Sequence, residues 1–176
     1  MLEEAVMSLK AGLSAPVAER WAPQITIGTP VLIPDDYVAD LSVRLGLYRR
    51  LADLEGEREI DAFAAELTDR FGKAPLEVHH LMEVVSIKAL CRHANIEKLD
   101  AGPKGIVLSF RDNQFPNPEG LIAFIRERGK EAIIRNEKSG QKLVILADWD
   151  TPEDRLKGTA EILRRLAAIA ERAKAA

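Results

Sequence analysis

Several short clusters in this 176-residue chain hold residues of the types that do chemistry. Gly72-Lys73 and Gly129-Lys130 could begin a phosphate-cradling loop. Such a loop needs Ser or Thr after the lysine to bind the metal of the nucleotide, and here Ala74 and Glu131 follow. Cys91 and His93 could ligate zinc, but a zinc site needs about four ligands, and these two point to different sides of a helix. His79 and His80 add little. Glu77 and His80 have the Glu-x-x-His spacing of a carboxylate-bridged metal helix, a design that requires a second such motif and further glutamates. No serine stands in a G-x-S-x-G elbow. Cys91 reads as a packed apolar residue rather than a nucleophile. The sequence therefore assigns no catalytic residue, no cofactor and no metal ligand, and the expectation is a binding or structural role rather than an enzyme.

The elements that would carry any site follow from periodicity. Leu2 to Ala11 reads as a short helix stopped by Gly12, and Leu13 to Pro23 as a linker. A helix that opens at Met1 with no cap before it suggests a cut inside a larger protein. Gln24 to Ile33 alternates and is β-branched, which predicts a strand bent by Gly28 and Pro30. Asp40 is an N-cap for a helix with Leu41, Leu45, Tyr48 and Leu51 at helical spacing, ending near Gly56. A second helix places Ile60, Phe63, Leu67 and Phe71 on one stripe and stops at Gly72. A third runs from about Pro75 to Ala94 with Leu76, His80, Val84, Ile87 and Cys91 near one face. Ile96 to Leu99 is a possible short strand, and Gly105 to Phe110 a strand with Ile106, Leu108 and Phe110 on one side. Asn117-Pro118 and Thr151-Pro152 are caps followed by first-turn prolines. The first opens a helix carrying Leu121, Phe124 and Ile125. The second opens a final helix with Leu156, Leu163, Leu166 and Ile169 inward. Between them, Ala132 to Arg135 and Lys142 to Ala147 are strands joined by a loop from Asn136 to Gly140. The order predicts an α+β fold, a small mostly antiparallel sheet packed with about five helices.

Composition bounds the partners. The net charge is −3, 47% of residues are hydrophobic and 30% charged, so no global basic field exists to grip nucleic acid. A single cysteine excludes an internal disulfide and suits a reducing cytoplasm. No apolar run approaches the ~18 residues of a membrane span, and the first residues lack the order of a secretion signal. Charge is uneven. Residues 34–72 hold ten acidic and five basic side chains, a local −5, whereas residues 151–176 hold six basic and four acidic, a local +2. Such asymmetry suits contact with other protein surfaces.

Three blocks carry a family resemblance: the Pro34-Asp35-Asp36 turn, the RLxLYRRLA helix from Arg44 to Ala52, and the E-L-x-D-R-F-G block from Glu66 to Gly72. With them, the chain resembles the C-terminal domain of bacterial transcription-repair coupling factors, the Mfd family. On this resemblance, residues 24–176 form the regulatory C-terminal domain and residues 1–23 the end of the translocase helix and a linker. The resemblance implies that the domain docks on the UvrB-like N-terminal module of the same protein. There it hides the UvrA-binding surface and restrains an ATP-driven DNA translocase that dislodges stalled RNA polymerase. UvrA, RNA polymerase and DNA would be met through the parent, with no membrane partner.

Glu66 and Asp69, three apart on one helix face, are the first choice for the docking contact, together with Arg70. The competing reading is a solvated acidic edge, or Asp69 and Arg70 tying down the helix end. Arg44 and Tyr48 are expected to be structural, the arginine paired with an aspartate and the tyrosine anchored by its hydroxyl. The Pro34-Asp35-Asp36 turn is expected to cap the strand exit, with Asp36 structural, and Phe71 and Gly72 are expected to close the second helix. Two other classes stay open. One is a small nucleic-acid-binding module using Arg155, Lys157, Arg164 and Arg165 of the last helix. The other is an enzyme with a cleft between helices and sheet.

Overall fold

The computed structural model describes residues 21–29 and 31–175. The expected helix over Leu2–Ala11 and most of the expected linker lie outside the described residues. Among the described residues, five α-helices accompany a five-stranded sheet: β1 (Gln24–Thr26), α1 (Leu41–Ala52), α2 (Glu57–Phe71), α3 (Leu76–His93), β2 (Ile96–Gly102), β3 (Gly105–Phe110), α4 (Pro118–Arg128), β4 (Ala132–Glu137), β5 (Gly140–Leu146) and α5 (Pro152–Ala175). The strand order is β1-β2-β3-β5-β4, and all neighbours are antiparallel except β1 with β2. This is the α+β arrangement expected.

Alternation makes the sheet one-sided. Ile106, Leu108 and Phe110 of β3 are buried, and Leu143 and Ile145 of β5 pair with Leu108 and Ile106 in register. These side chains meet Ile87 and Cys91 of α3, Phe124 of α4, and Leu156, Leu163, Leu166 and Ile169 of α5 in one apolar cluster. Each large side chain removed from water here contributes roughly 1.5–3 kcal/mol. The second cluster is helical. Ile33 and Val38 join Leu47 and Leu51 of α1, Ile60, Phe63 and Leu67 of α2, and Val78, Leu81 and Val85 of α3. Helix α3 therefore buries two faces and joins the clusters.

Capping follows the sequence closely. The Asp40 side chain accepts from the Val43 amide at 3.0 Å, Asn117 Oδ1 from Gly120 at 3.1 Å, and Thr151 Oγ1 from Asp154 at 3.1 Å. Gly72 ends α2 with φ at +90°, a conformation that favours glycine.

Elsewhere the structure corrects the sequence reading. The first strand covers only Gln24–Thr26, because Gly28 at φ +73° turns the chain off the sheet edge. The strand after α3 is longer than expected, Ile96–Gly102. The β4–β5 loop shortens to Lys138-Ser139, because pairing continues to Glu137 opposite Gly140. On α1 the core stripe is Leu47 and Leu51, with Val43 packed against it, whereas Leu41, Leu45 and Tyr48 are exposed. On α3, Leu76 is exposed and His80 only half-buried, because the two core faces are set by Val78, Leu81 and Val85 and by Ile87 and Cys91.

Candidate functional site

The resemblance-derived residues converge at the junction of α1 and α2. Helix α2 buries Ile60, Phe63 and Leu67, so Glu66 and Asp69 emerge on its outer side, as their spacing requires. Glu66 does not wait free for a partner. Arg50, in the last turn of α1, grips it with two hydrogen bonds, Nη1 to Oε2 at 2.6 Å and Nη2 to Oε1 at 2.7 Å. Arg70 adds a third at 3.1 Å. The bidentate fork is the strong geometry for this pair. Each guanidinium also lies over a ring, Arg50 over Phe63 and Arg70 over Phe71, both at 4.9 Å.

The hydrogen bonds from Arg50 and then Arg70 hold the Glu66 carboxyl down at about 2, from an ordinary 4.5. The pairing therefore persists throughout the range above about 4.5 and is lost only as pH falls through about 2. A carbon-detected NMR titration should place the Glu66 midpoint near 2. A midpoint near 4.5 would contradict the pairing.

Asp69 is exposed, and among the described residues no ion pair engages it. Arg70 bonds Glu66 and lies over the ring of Phe71, so it helps hold the helix end, whereas Asp69 takes no part in an ion pair there. Tyr37, which the sequence reading did not single out, holds the same end. Its hydroxyl lies 2.8 Å from the Gly72 carbonyl and 3.1 Å from that of Leu67, and its ring packs against Phe71 at 5.8 Å. One tyrosine thus closes the end of α2 that carries Asp69.

Tyr48 is anchored by its hydroxyl, which accepts from the Ile33 amide at 2.6 Å. Arg44 donates to the Val38 carbonyl at 2.9 Å rather than pairing with an aspartate, because the loop before α1 brings a backbone acceptor within its reach. Asp36 is exposed, and the bonds of its turn are backbone ones, from the Tyr37 and Val38 amides to the Pro34 carbonyl, both 3.1 Å.

The remaining chemistry-bearing residues stay apart. Cys91 is fully buried and burial pushes its thiol up to about 12, whereas His93 is exposed. Among the described residues, no group of three or more His, Cys, Asp or Glu is placed to hold a metal ion. A cleft of about 420 Å³ opens between α2, α3 and α5, lined in part by His79, His80, Glu83, Lys157 and Arg164. The two carboxyls held below their ordinary range, Glu66 and Glu127, lie outside it on surface ion pairs with arginines. On the last helix, Arg165 pairs with Glu127 at 2.6 Å and Arg155 donates to the carbonyls of Trp149 and Ile27. Of the four basic residues considered for nucleic acid, only Lys157 and Arg164 remain exposed without such internal ties. No helix among the described residues is long and apolar enough to cross a membrane.

Fold and site together define a class of module: an α+β domain presenting an arginine-locked acidic helix end. Sequence comparison makes this specific. Residues 27–121 match the TRCF domain, and the chain belongs to that family, the C-terminal domain of transcription-repair coupling factors. It is 40% identical to the transcription-repair-coupling factor of Rickettsia conorii, over 83% of this chain and 13% of the relative. To that of Haemophilus influenzae it is 32% identical, over 96% of this chain and 15% of the relative. To that of Escherichia coli it is 27% identical, over 94% and 14%. The chain thus spans about an eighth to a seventh of the length of these relatives. The fold matches a crystal structure of the C-terminal domain of transcription-repair coupling factor with a TM-score of 0.72 and 19% identity, covering 86% of this chain and 97% of that one.

Proposed function

We propose that this chain is a docking and restraining module of a transcription-repair coupling factor. It contributes no catalytic group of its own. Its work is to hold the UvrB-like module of the same protein, mask the surface that recruits UvrA, and keep the ATP-dependent translocase quiet until docking is released. The observation that carries this reading is the way Asp69 is presented. The Arg50–Glu66–Arg70 cluster and Tyr37 fix the end of α2 and leave one carboxylate outward without an internal ion pair. A carboxylate on a fixed helix end suits an arginine or lysine of a partner surface, because little backbone entropy remains to be lost on binding. Release of such a contact is a two-state switch that exposes a partner site. RNA polymerase, DNA and ATP would be handled by the rest of the parent.

Competition tests the proposal. Saturating amounts of this chain should reduce capture of UvrA by an immobilised UvrB-like module. Undiminished capture of UvrA while the chain is bound to the same module would refute the masking role. The alternative, a nucleic-acid module on the last helix, loses ground because Arg155 and Arg165 are spent on internal contacts.

A further inference from the structure

Strand β4 is an edge of the sheet, and its outer row of backbone groups has no partner. Lys138 and Ser139 alone join Glu137 to Gly140, and in such a hairpin the flanking pair exchanges its backbone bonds. Glu137, Arg135 and Ile133 therefore bond β5, whereas the amides and carbonyls of Asn136 and Ile134 point away from the sheet. Gln141, opposite Asn136, agrees with this parity, because its amide turns the other way and donates to Asn113 Oδ1 at 3.1 Å. Among the described residues, no hydrogen bond engages the amide or carbonyl of Ile134 or Asn136. Residues 133–137 are all exposed. On the helical side, a groove of about 760 Å³ opens between β4 and α4, lined in part by Ile134, Phe115, Leu121, Ile122 and Ile125. Ile122 stands 51% exposed at its rim and Ile134 40%.

We infer that β4 receives an extended segment of another protein as a sixth strand, one whose side chains alternate between apolar and acidic. A row of outward donors and acceptors two residues apart is matched by extended backbone. Guest side chains on the helical side enter the apolar groove beside Ile134 and Ile122. Charge selects those on the other side. The whole chain is acidic at −3, yet residues 118–142 hold six cations against four carboxylates. Two of those carboxylates, Glu127 and Glu137, are already paired with arginines. Arg126 on α4, and Lys130 and Lys138 at the two ends of β4, are exposed and in no ion pair among the described residues. This is a basic rim for an acidic guest. A second copy fits less well: two-fold pairing centred on Ile134 would set Glu137 against Glu131 and Lys138 against Lys130 of the other chain. The edge lies on the sheet, apart from the docking face of α2, and the inference does not depend on the docking reading.

Amide exchange read by NMR tests it residue by residue. The probe is an acetylated six-residue peptide of alternating valine and glutamate. At about 5 mM it should slow exchange at Ile134 and Asn136 at least about fivefold, the factor for a dissociation constant near 1 mM. Ile133 and Arg135, already bonded to β5, should not change. The same peptide with proline at its two central positions should give no protection. Replacing its glutamates by lysines should weaken binding. Ile122→Glu, at an exposed position outside the core, should weaken binding of the acidic peptide at least about tenfold with an unchanged circular dichroism spectrum. Absent protection, equal protection by the proline or lysine peptide, or Ile134 and Asn136 amides already slow in the dilute free chain would each overturn the inference. So would the same protection appearing without peptide as the chain is concentrated, which would make a second copy the occupant.

Discussion

Asp69→Lys will weaken binding of this chain to a UvrB-like module at least about tenfold, while its melting temperature stays within about 1 °C of wild type. The two readouts separate because Asp69 is exposed and outside every ion pair found among the described residues. Removing it costs the isolated fold nothing, whereas reversing its charge places a cation against the basic groups proposed on the partner. Glu66→Lys should behave differently. It sets a third cation between Arg50 and Arg70, frees two guanidinium groups at once, and disturbs the α1–α2 junction as well as the docking face. A fall in melting temperature with Glu66→Lys but not with Asp69→Lys, measured by calorimetry, would assign the first residue to positioning and the second to contact. Equal losses of stability would contradict that division.

Leu67→Ala will have the largest effect on the fold. Leu67 is 1% exposed and sits among Phe63, Val38, Leu47 and Val78 in the helical cluster. Truncating a leucine in such a site costs about 2–5 kcal/mol, the lost transfer term plus the cavity left behind. For a chain of this size, that lowers the melting temperature by roughly 5–15 °C. The loss should begin locally. The helical cluster is built separately from the sheet cluster and joined to it through α3, so amide exchange should accelerate first in α1 and α2, and last in β3 and β5. Docking should weaken in step, because looser packing under Leu67 lets the end of α2 that carries Asp69 shift. A melting temperature within about 2 °C of wild type would contradict the core assignment of α2.

The caps were legible in the sequence because capping is local. Asp40, Asn117 and Thr151 each bond an amide three residues on, within the window that a pattern can see. The sheet face was legible for the same reason, since period-two alternation puts Ile106, Leu108 and Phe110 on one side whatever surrounds them. Helix α1 was misread because leucines lie on two of its faces. Leu41-Leu45-Tyr48 satisfies helical periodicity as well as Val43-Leu47-Leu51 does, and only packing against α2 and α3 decides which is inside.

At the site, Glu66 and Asp69 could be placed on one face from their spacing, and Glu66 with Arg70 is an i,i+4 pair. The role of Arg50 could not be read, because its partner lies 16 residues away across a helix junction. The available signal was an arginine near the end of one helix and an unmatched acidic block on the next. Tyr37 was missed in the same way, its acceptors being 30 and 35 residues distant.

The central claim, that the outer face of α2 is a docking surface, is tested most directly by calorimetric titration of this chain against the UvrB-like module of its parent. Wild type and the Glu66→Lys, Asp69→Lys double variant would be compared at low and high salt. Wild type should bind saturably one to one, more weakly as salt rises, and the double variant should not bind while its circular dichroism spectrum remains helical. Binding by the double variant with wild-type affinity, or wild-type binding that ignores salt, would contradict it.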